Sequence, residues 1–123
     1  MRNRSLSPAE FLKAVRNGQQ YDVLLLRGKE EFLLRSALHE YIDRNMTEAA
    51  AGFDYSEMRA AETGGEMLWN ALTTLPLLSP RRMVILDVSK AGSKDVAEAI
   101  GRYIENPSAS TTLIMVYVTE QRG

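Results

Sequence analysis

The residues best placed to do chemistry in this 123-residue chain lie in two turns that follow short apolar runs. The first turn reads Arg27-Gly28-Lys29-Glu30-Glu31-Phe32-Leu33-Leu34-Arg35, directly after VLLL at 23–26. Strand, glycine, helix is the setting of a phosphate-binding P-loop, G-x-x-x-x-G-K-[ST]. There the backbone amides cradle phosphate, the lysine reaches the β- and γ-phosphates, and the hydroxyl binds Mg²⁺. Counted from Gly28, the second glycine position holds Leu33, the lysine position Leu34 and the hydroxyl position Arg35. A leucine side chain stands where backbone must approach phosphate, and a second leucine removes the charge. Glu30 and Glu31 add repulsion where an anion would sit, and Lys29 is misplaced by five residues. Gly28, Leu33, Leu34 and Arg35 therefore read as a degenerate, non-functional P-loop, and no cofactor is expected.

The second turn follows Asp87, which closes MVILD. An apolar strand ending in aspartate is the pattern of a Walker B carboxylate that holds Mg²⁺. It is equally the pattern of a receiver-domain phosphoacceptor. The receiver reading needs an acidic pair at the end of the first strand, where this chain has Arg27 and Gly28. The Walker reading lacks its lysine. A solvated aspartate at a strand end is the plainer reading. His39 is the single histidine, in mid-helix beside Glu40 and Asp43, and nothing in its spacing makes it a general base. With no cysteine and one histidine, neither a soft-ligand metal centre nor a disulfide framework can form. No Ser-His-Asp spacing is recognisable, and no catalytic residue is assigned. Arg81 and Arg82 read as a solvated strand entrance, and Met67 and Trp69 as core or near-core packing.

These turns must be positioned by regular elements. VLLL (23–26), MVIL (83–86) and LIMVYV (113–118) are continuous apolar runs, as expected for parallel strands covered on both faces. FDYSEMR (53–59) is mixed and reads as an edge strand. In residues 30–45 the positions Leu34, Ala37, Leu38, Tyr41 and Ile42 fall on one helix face. Ser7-Pro8-Ala9-Glu10 has capping-box spacing with proline at the first helical position, flanked by Leu6 and Phe11 at staple positions. Thr63-Gly-Gly-Glu66 has the same spacing, opening a helix whose stripe is Leu68, Ala71, Leu72 and Leu75. Lys94 to Glu105 gives a further helix with Val96, Ile100, Tyr103 and Ile104 inward, stopped by Asn106-Pro107. The order α-β-α-β-α-β-α-β implies a three-layer α/β sandwich with a mostly parallel sheet.

Composition agrees with one globular domain: 45% hydrophobic and 25% charged residues. A net charge of −1 argues against binding nucleic acid by bulk electrostatics. The longest apolar run, 113–118, is far short of the ~20 residues that span a bilayer. MRNRSLSPAEF has no apolar stretch of a secretory signal, and a cytoplasmic home is expected. The chain stops at QRG just after a strand-like segment, so a domain of a longer protein is expected.

TLPLLSPRR (74–82) stands apart. It connects a helix to a strand, yet carries Leu75, Leu77 and Leu78 among its prolines. Pro76 favours an extended Leu75 and ends the helix. Leu77 and Leu78 are then adjacent in a non-helical turn, where neighbouring side chains diverge. Either one of them packs beneath the sheet edge, or both face outward as an apolar wedge shaped by Pro76 and Pro80.

Taken in order, LLLRGKEEFLLRSAL (24–38), LTTLPLLSPRRMVIL (72–86) and YIENPSASTTLIMV (103–116) resemble the N-terminal domain of the delta subunit of bacterial DNA polymerase III, a clamp-loader subunit. The resemblance implies an AAA+/P-loop-NTPase-like fold that has lost ATP binding. It implies a non-catalytic domain, 1–123, that binds and helps open the beta sliding clamp during DNA replication. The parent assembly would be a DNA-directed DNA polymerase (nucleotidyltransferase) holoenzyme in the bacterial cytoplasm. By position, the resemblance assigns clamp binding to Leu77 and Leu78, with Pro76, Ser79 and Arg81 beside them. Where some members have an aromatic second residue, this chain has Leu78. The lid and C-terminal oligomerisation domains lie outside the chain, so contacts with gamma/tau and delta prime would reside there and DNA contact would be indirect. The competing expectation is an ATP-binding enzyme with a variant phosphate loop.

Overall fold

The computed structural model describes residues 3–119; the terminal QRG lies outside them. Five parallel strands form one sheet: β1 (Asn3–Leu6), β2 (Val23–Gly28), β3 (Tyr55–Arg59), β4 (Arg82–Asp87) and β5 (Thr111–Val118), in the order β1-β2-β5-β4-β3. The helices are α1 (Pro8–Arg16), α2 (Glu31–Asn45), α3 (Glu48–Asp54), α4 (Gly65–Thr73) and α5 (Lys94–Glu105). This is the expected three-layer α/β sandwich, with the sheet wholly parallel among the described residues.

Successive strand residues point to opposite faces, and this explains why the central runs are apolar throughout. Leu24, Leu26, Ile85, Ile114 and Val116 pack with Phe11, Val15, Leu34, Leu38 and Tyr41 from α1 and α2, joined by Ala50 of α3. Val23, Val84, Leu86 and Leu113 pack on the other side with Leu68 and Leu72 of α4 and Val96 and Tyr103 of α5. The capping box at Ser7 forms in both directions: Ser7 Oγ accepts from the Glu10 amide at 3.3 Å, and Glu10 Oε1 accepts from the Ser7 amide at 2.9 Å. Among the described residues, no helix is long and apolar enough to cross a membrane.

Several local expectations are corrected. β1 is an additional edge strand, paired with β2 in the register Asn3↔Val23 to Leu6↔Leu26. α3 takes Phe53 and Asp54 out of the expected edge strand, leaving β3 to start at Tyr55. The second capping box does not form: the N-cap of α4 is Gly64, and Thr63 Oγ1 is buried with no hydrogen-bond partner among the described residues. Gly65 serves packing instead, since a Cβ on it would lie 2.7 Å from the Asp95 carbonyl oxygen. Finally, α4 stops at Thr73, so Leu75 leaves the stripe and is 73% exposed. Its end is fixed by Thr73 and Thr74, whose hydroxyls donate back to the carbonyls of Trp69 and Asn70 at 2.8 and 2.5 Å. Met67, expected near the core, is likewise exposed on α4, whereas Trp69 is half-buried edge-on to Tyr103.

Candidate protein-docking site

The two turns that could do chemistry sit at one end of the sheet, and TLPLLSPRR sits at the other. Gly28 and Asp87 are the last residues of β2 and β4, whereas TLPLLSPRR leads into the first residue of β4. A six-residue strand separates them, or about 20 Å at ~3.3 Å per residue.

At the carboxyl end, the turn after β2 differs from a phosphate loop. Only Lys29 and Glu30 lie between β2 and α2, too few residues to wrap an anion in backbone amides. Leu34 is wholly buried in the core, and Leu33 is half exposed. Gly28 is close-packed rather than open: a Cβ there would meet the Pro8 ring at 3.2 Å. Arg35 reaches across the strand ends to Glu57 at 3.0 Å and Asp87 at 3.4 Å, with Glu31 at 3.6 Å. A guanidinium therefore holds the carboxylate that a nucleotide enzyme would give to magnesium. Asp87 is not simply solvated, since it also accepts from the Ser89 amide at 2.8 Å. Glu57 accepts from the Tyr55 hydroxyl at 2.9 Å, and burial, reinforced by that bond, pushes the Tyr55 phenol up so that it stays a donor. A shallow cleft of about 160 Å³ beside Asp87 is lined by Arg59, Ala61, Glu62, Ser89 and Lys90. Among the described residues, no group of three or more His, Cys, Asp or Glu is arranged to hold a metal ion. His39 lies exposed on α2.

At the amino end the loop is held from beneath. Asp54, the last residue of α3, is 1% exposed, and its carboxylate accepts from three consecutive backbone amides. Oδ1 takes Leu77 at 2.5 Å, and Oδ2 takes Leu78 at 2.7 Å and Ser79 at 2.6 Å. An acid at a helix C-terminus opposes the helix dipole, so this one has to be compensated from elsewhere. Burial alone raises its pKa, but the amides of Leu77, Leu78 and Ser79 outweigh that and hold the carboxyl below the usual aspartate value. With the backbone turned inward onto Asp54, the side chains of Leu77 and Leu78 are 67% and 55% exposed. Pro76 and Ser79 are half-buried on either side. A groove of about 310 Å³ adjoins Leu78, between the end of α2 and the start of α3.

The two arginines that follow are structural. Arg81 ion-pairs with Asp22 at 2.7 Å and donates to Thr112 Oγ1 and to the carbonyls of Thr111 and Tyr21. Arg82, read from sequence as solvated, is 8% exposed. Its guanidinium donates to the carbonyls of Ala71 and Phe53 at 2.8 and 2.9 Å and to Ser56 Oγ at 2.6 Å. The loop is thus pinned by Asp54 in its middle and by two inward arginines at its exit. Sequence reasoning missed Asp54 because it placed Phe53-Asp54 in a strand. Thr47, a good N-cap followed by Glu48-Ala-Ala-Ala, was the available sign of a helix there.

Comparison with known proteins agrees with this architecture. Among solved structures, the chain is similar to the Bacillus subtilis DNA clamp loader delta protein, with a TM-score of 0.79 at 20% identity over 93% of this chain and 36% of that one. It is also similar to a DNA polymerase III gamma subunit-related protein from Thermotoga maritima, with a TM-score of 0.62 at 16% identity over 90% of this chain and 39% of that one. The fold is therefore the AAA+-like one, and the chain spans somewhat over a third of the length of these relatives. No curated protein matches in sequence. The family model described as DNA polymerase III, delta subunit, matches residues 24–122, most of the chain. The chain belongs to the DNA polymerase III delta subunit family.

Proposed function

We propose that this domain docks on the beta sliding clamp through Leu77 and Leu78 and so serves clamp loading by DNA polymerase III, with no ATP hydrolysis of its own. The observation that carries the reading is a pair of adjacent leucines exposed on a turn whose backbone is locked from below. Exposed apolar side chains on a rigid turn have no folding role to explain them, and a preordered turn lowers the ordering cost of binding. Leu75, exposed on the same loop, widens the apolar surface. Pro76, Ser79 and Arg81 shape the turn rather than supply its contact energy. At the other end of the sheet, Leu34 in the core and Arg35 on Asp87 support a domain that takes its energy from clamp binding. Contacts with gamma/tau and delta prime belong to parts of the protein outside this chain, and the setting is the replication fork in the bacterial cytoplasm.

The test is titration calorimetry of the chain against the sliding clamp. Burying a leucine side chain is worth about 1.5–3 kcal/mol. Scaled by the exposures of Leu77 and Leu78, the pair contributes about 2–4 kcal/mol. Leu77→Ala with Leu78→Ala should weaken binding roughly 30-fold to nearly 1000-fold, with the unfolding midpoint unchanged. Equal binding by parent and double variant would show that the wedge is misassigned.

A further inference from the structure

We infer that Asp54 is the positioning residue of the docking loop: its carboxylate holds Leu77, Leu78 and Ser79 in their outward-facing turn before any partner arrives. This rests on the clamp-docking reading for its functional consequence, but not for its geometry. Three features of the site carry it. The acceptor is 1% exposed, so the loop amides are not competing with water for it. All three donors are consecutive main-chain groups, at 2.5–2.7 Å, so the carboxylate fixes the backbone of the turn rather than one side chain. The acceptor is itself mounted rigidly, because the neighbouring Phe53 carbonyl is held by Arg82 at 2.9 Å. Backbone amides turned onto a buried anion leave the side chains of the same residues to point away from it. That is why two leucines next to one another can both be exposed.

Both carboxylate oxygens are needed, one for Leu77 and the other for Leu78 and Ser79. Asparagine is nearly isosteric but puts an NH₂ where one oxygen stands, facing N–H donors. One arm of the clasp is then replaced by a donor–donor repulsion, while the volume of the site is kept. Ordering a few backbone residues carries an entropic cost that a preordered turn has already met. Release of part of the turn should therefore weaken partner binding about ten- to hundredfold.

The experiment combines two readouts on Asp54→Asn and on the Leu77→Ala, Leu78→Ala double variant. The first is the proton shift and hydrogen exchange of the amides of residues 77–79, which needs no partner. The second is affinity for the sliding clamp. The expected pattern is a crossed one. Asp54→Asn moves the three amides upfield, speeds their exchange and weakens binding. The leucine variant leaves the amides bonded and weakens binding through lost contact. If Asp54→Asn leaves the amides protected, or frees them without loss of affinity, the positioning role is overturned. If the parent does not bind the clamp while the amides respond as expected, the docking reading falls and Asp54 keeps its place under the turn. Should Asp54→Asn unfold the chain, low-pH titration of the same amides in the parent decides the matter. Amide shifts that fail to follow protonation of Asp54 would overturn it.

Discussion

Replacing Arg82 by methionine should destabilise the domain far more than its position at the start of a strand suggests. Its side chain is 8% exposed, and its guanidinium makes three hydrogen bonds that join α3, α4 and β3. Methionine fills comparable volume but abandons the carbonyls of Ala71 and Phe53, while the Ser56 hydroxyl can rotate to another partner. Each buried carbonyl left unpaired costs about 1–3 kcal/mol, so a net loss of about 3–4 kcal/mol is expected. Against a total of about 5–15 kcal/mol for a domain, that is a large share. Urea unfolding followed by circular dichroism reads it directly. With a slope of about 2 kcal/mol per molar, the midpoint should fall by about 2 M. Arg82→Lys offers one point donor in place of a planar fork and should recover less than half of the loss. The reasoning fails if Arg82→Met costs less than about 1 kcal/mol, or if lysine restores full stability. Either result would mean that the three acceptors find water or other donors.

Gly28→Ala tests whether that glycine is kept for packing. Its Cβ would press on the Pro8 ring at 3.2 Å, and a ring fixed at the head of a helix yields little, so a loss of about 1–2 kcal/mol in thermal or urea unfolding is expected, with clamp affinity unchanged. Stability unaltered by the methyl would show that α1 can move aside. For pH, Asp54 has a folded pKa below its unfolded value. Its contribution is fully present above the ordinary aspartate pKa of about 3.9 and is lost as pH falls through the lower folded value. The amide shifts of residues 77–79 should hold steady to below about pH 4 and change only in stronger acid. A midpoint at or above about 3.9 would contradict the three-amide account.

The sheet was legible because its central strands are covered on both faces. VLLL, MVIL and LIMVYV are apolar at every position since alternate residues feed different cores. β1 was not legible: in Asn3-Arg4-Ser5-Leu6, one apolar residue is too little pattern, and the strand exists through its pairing with β2. α3 was missed for a related reason. At seven residues it is short, and its aromatic end suggested a strand. The reading of Gly28, Leu33, Leu34 and Arg35 as a degenerate P-loop came from residue types alone, because leucines stand where a phosphate loop has glycine and lysine. The outward-facing pair Leu77 and Leu78 was expected, but the cause of its exposure could not be read. That exposure depends on Asp54, distant in sequence by 23 residues and coupled to the loop only by the fold. Arg82 was misread on the same grounds, since a basic pair beside a proline looks solvated until its acceptors are known.

The mounting of the loop also fixes how it bears load. TLPLLSPRR runs straight into β4, which lies between β3 and β5 and is hydrogen-bonded to both. A pull on Leu77 or Leu78 is therefore delivered along the axis of an interior strand. The ladders on its two sides resist in shear, all together, instead of opening one bond at a time as a peeled edge would. A connection of eight residues is, in mechanical terms, the grip of a stiff bar, and displacement at its tip is passed to the whole sheet.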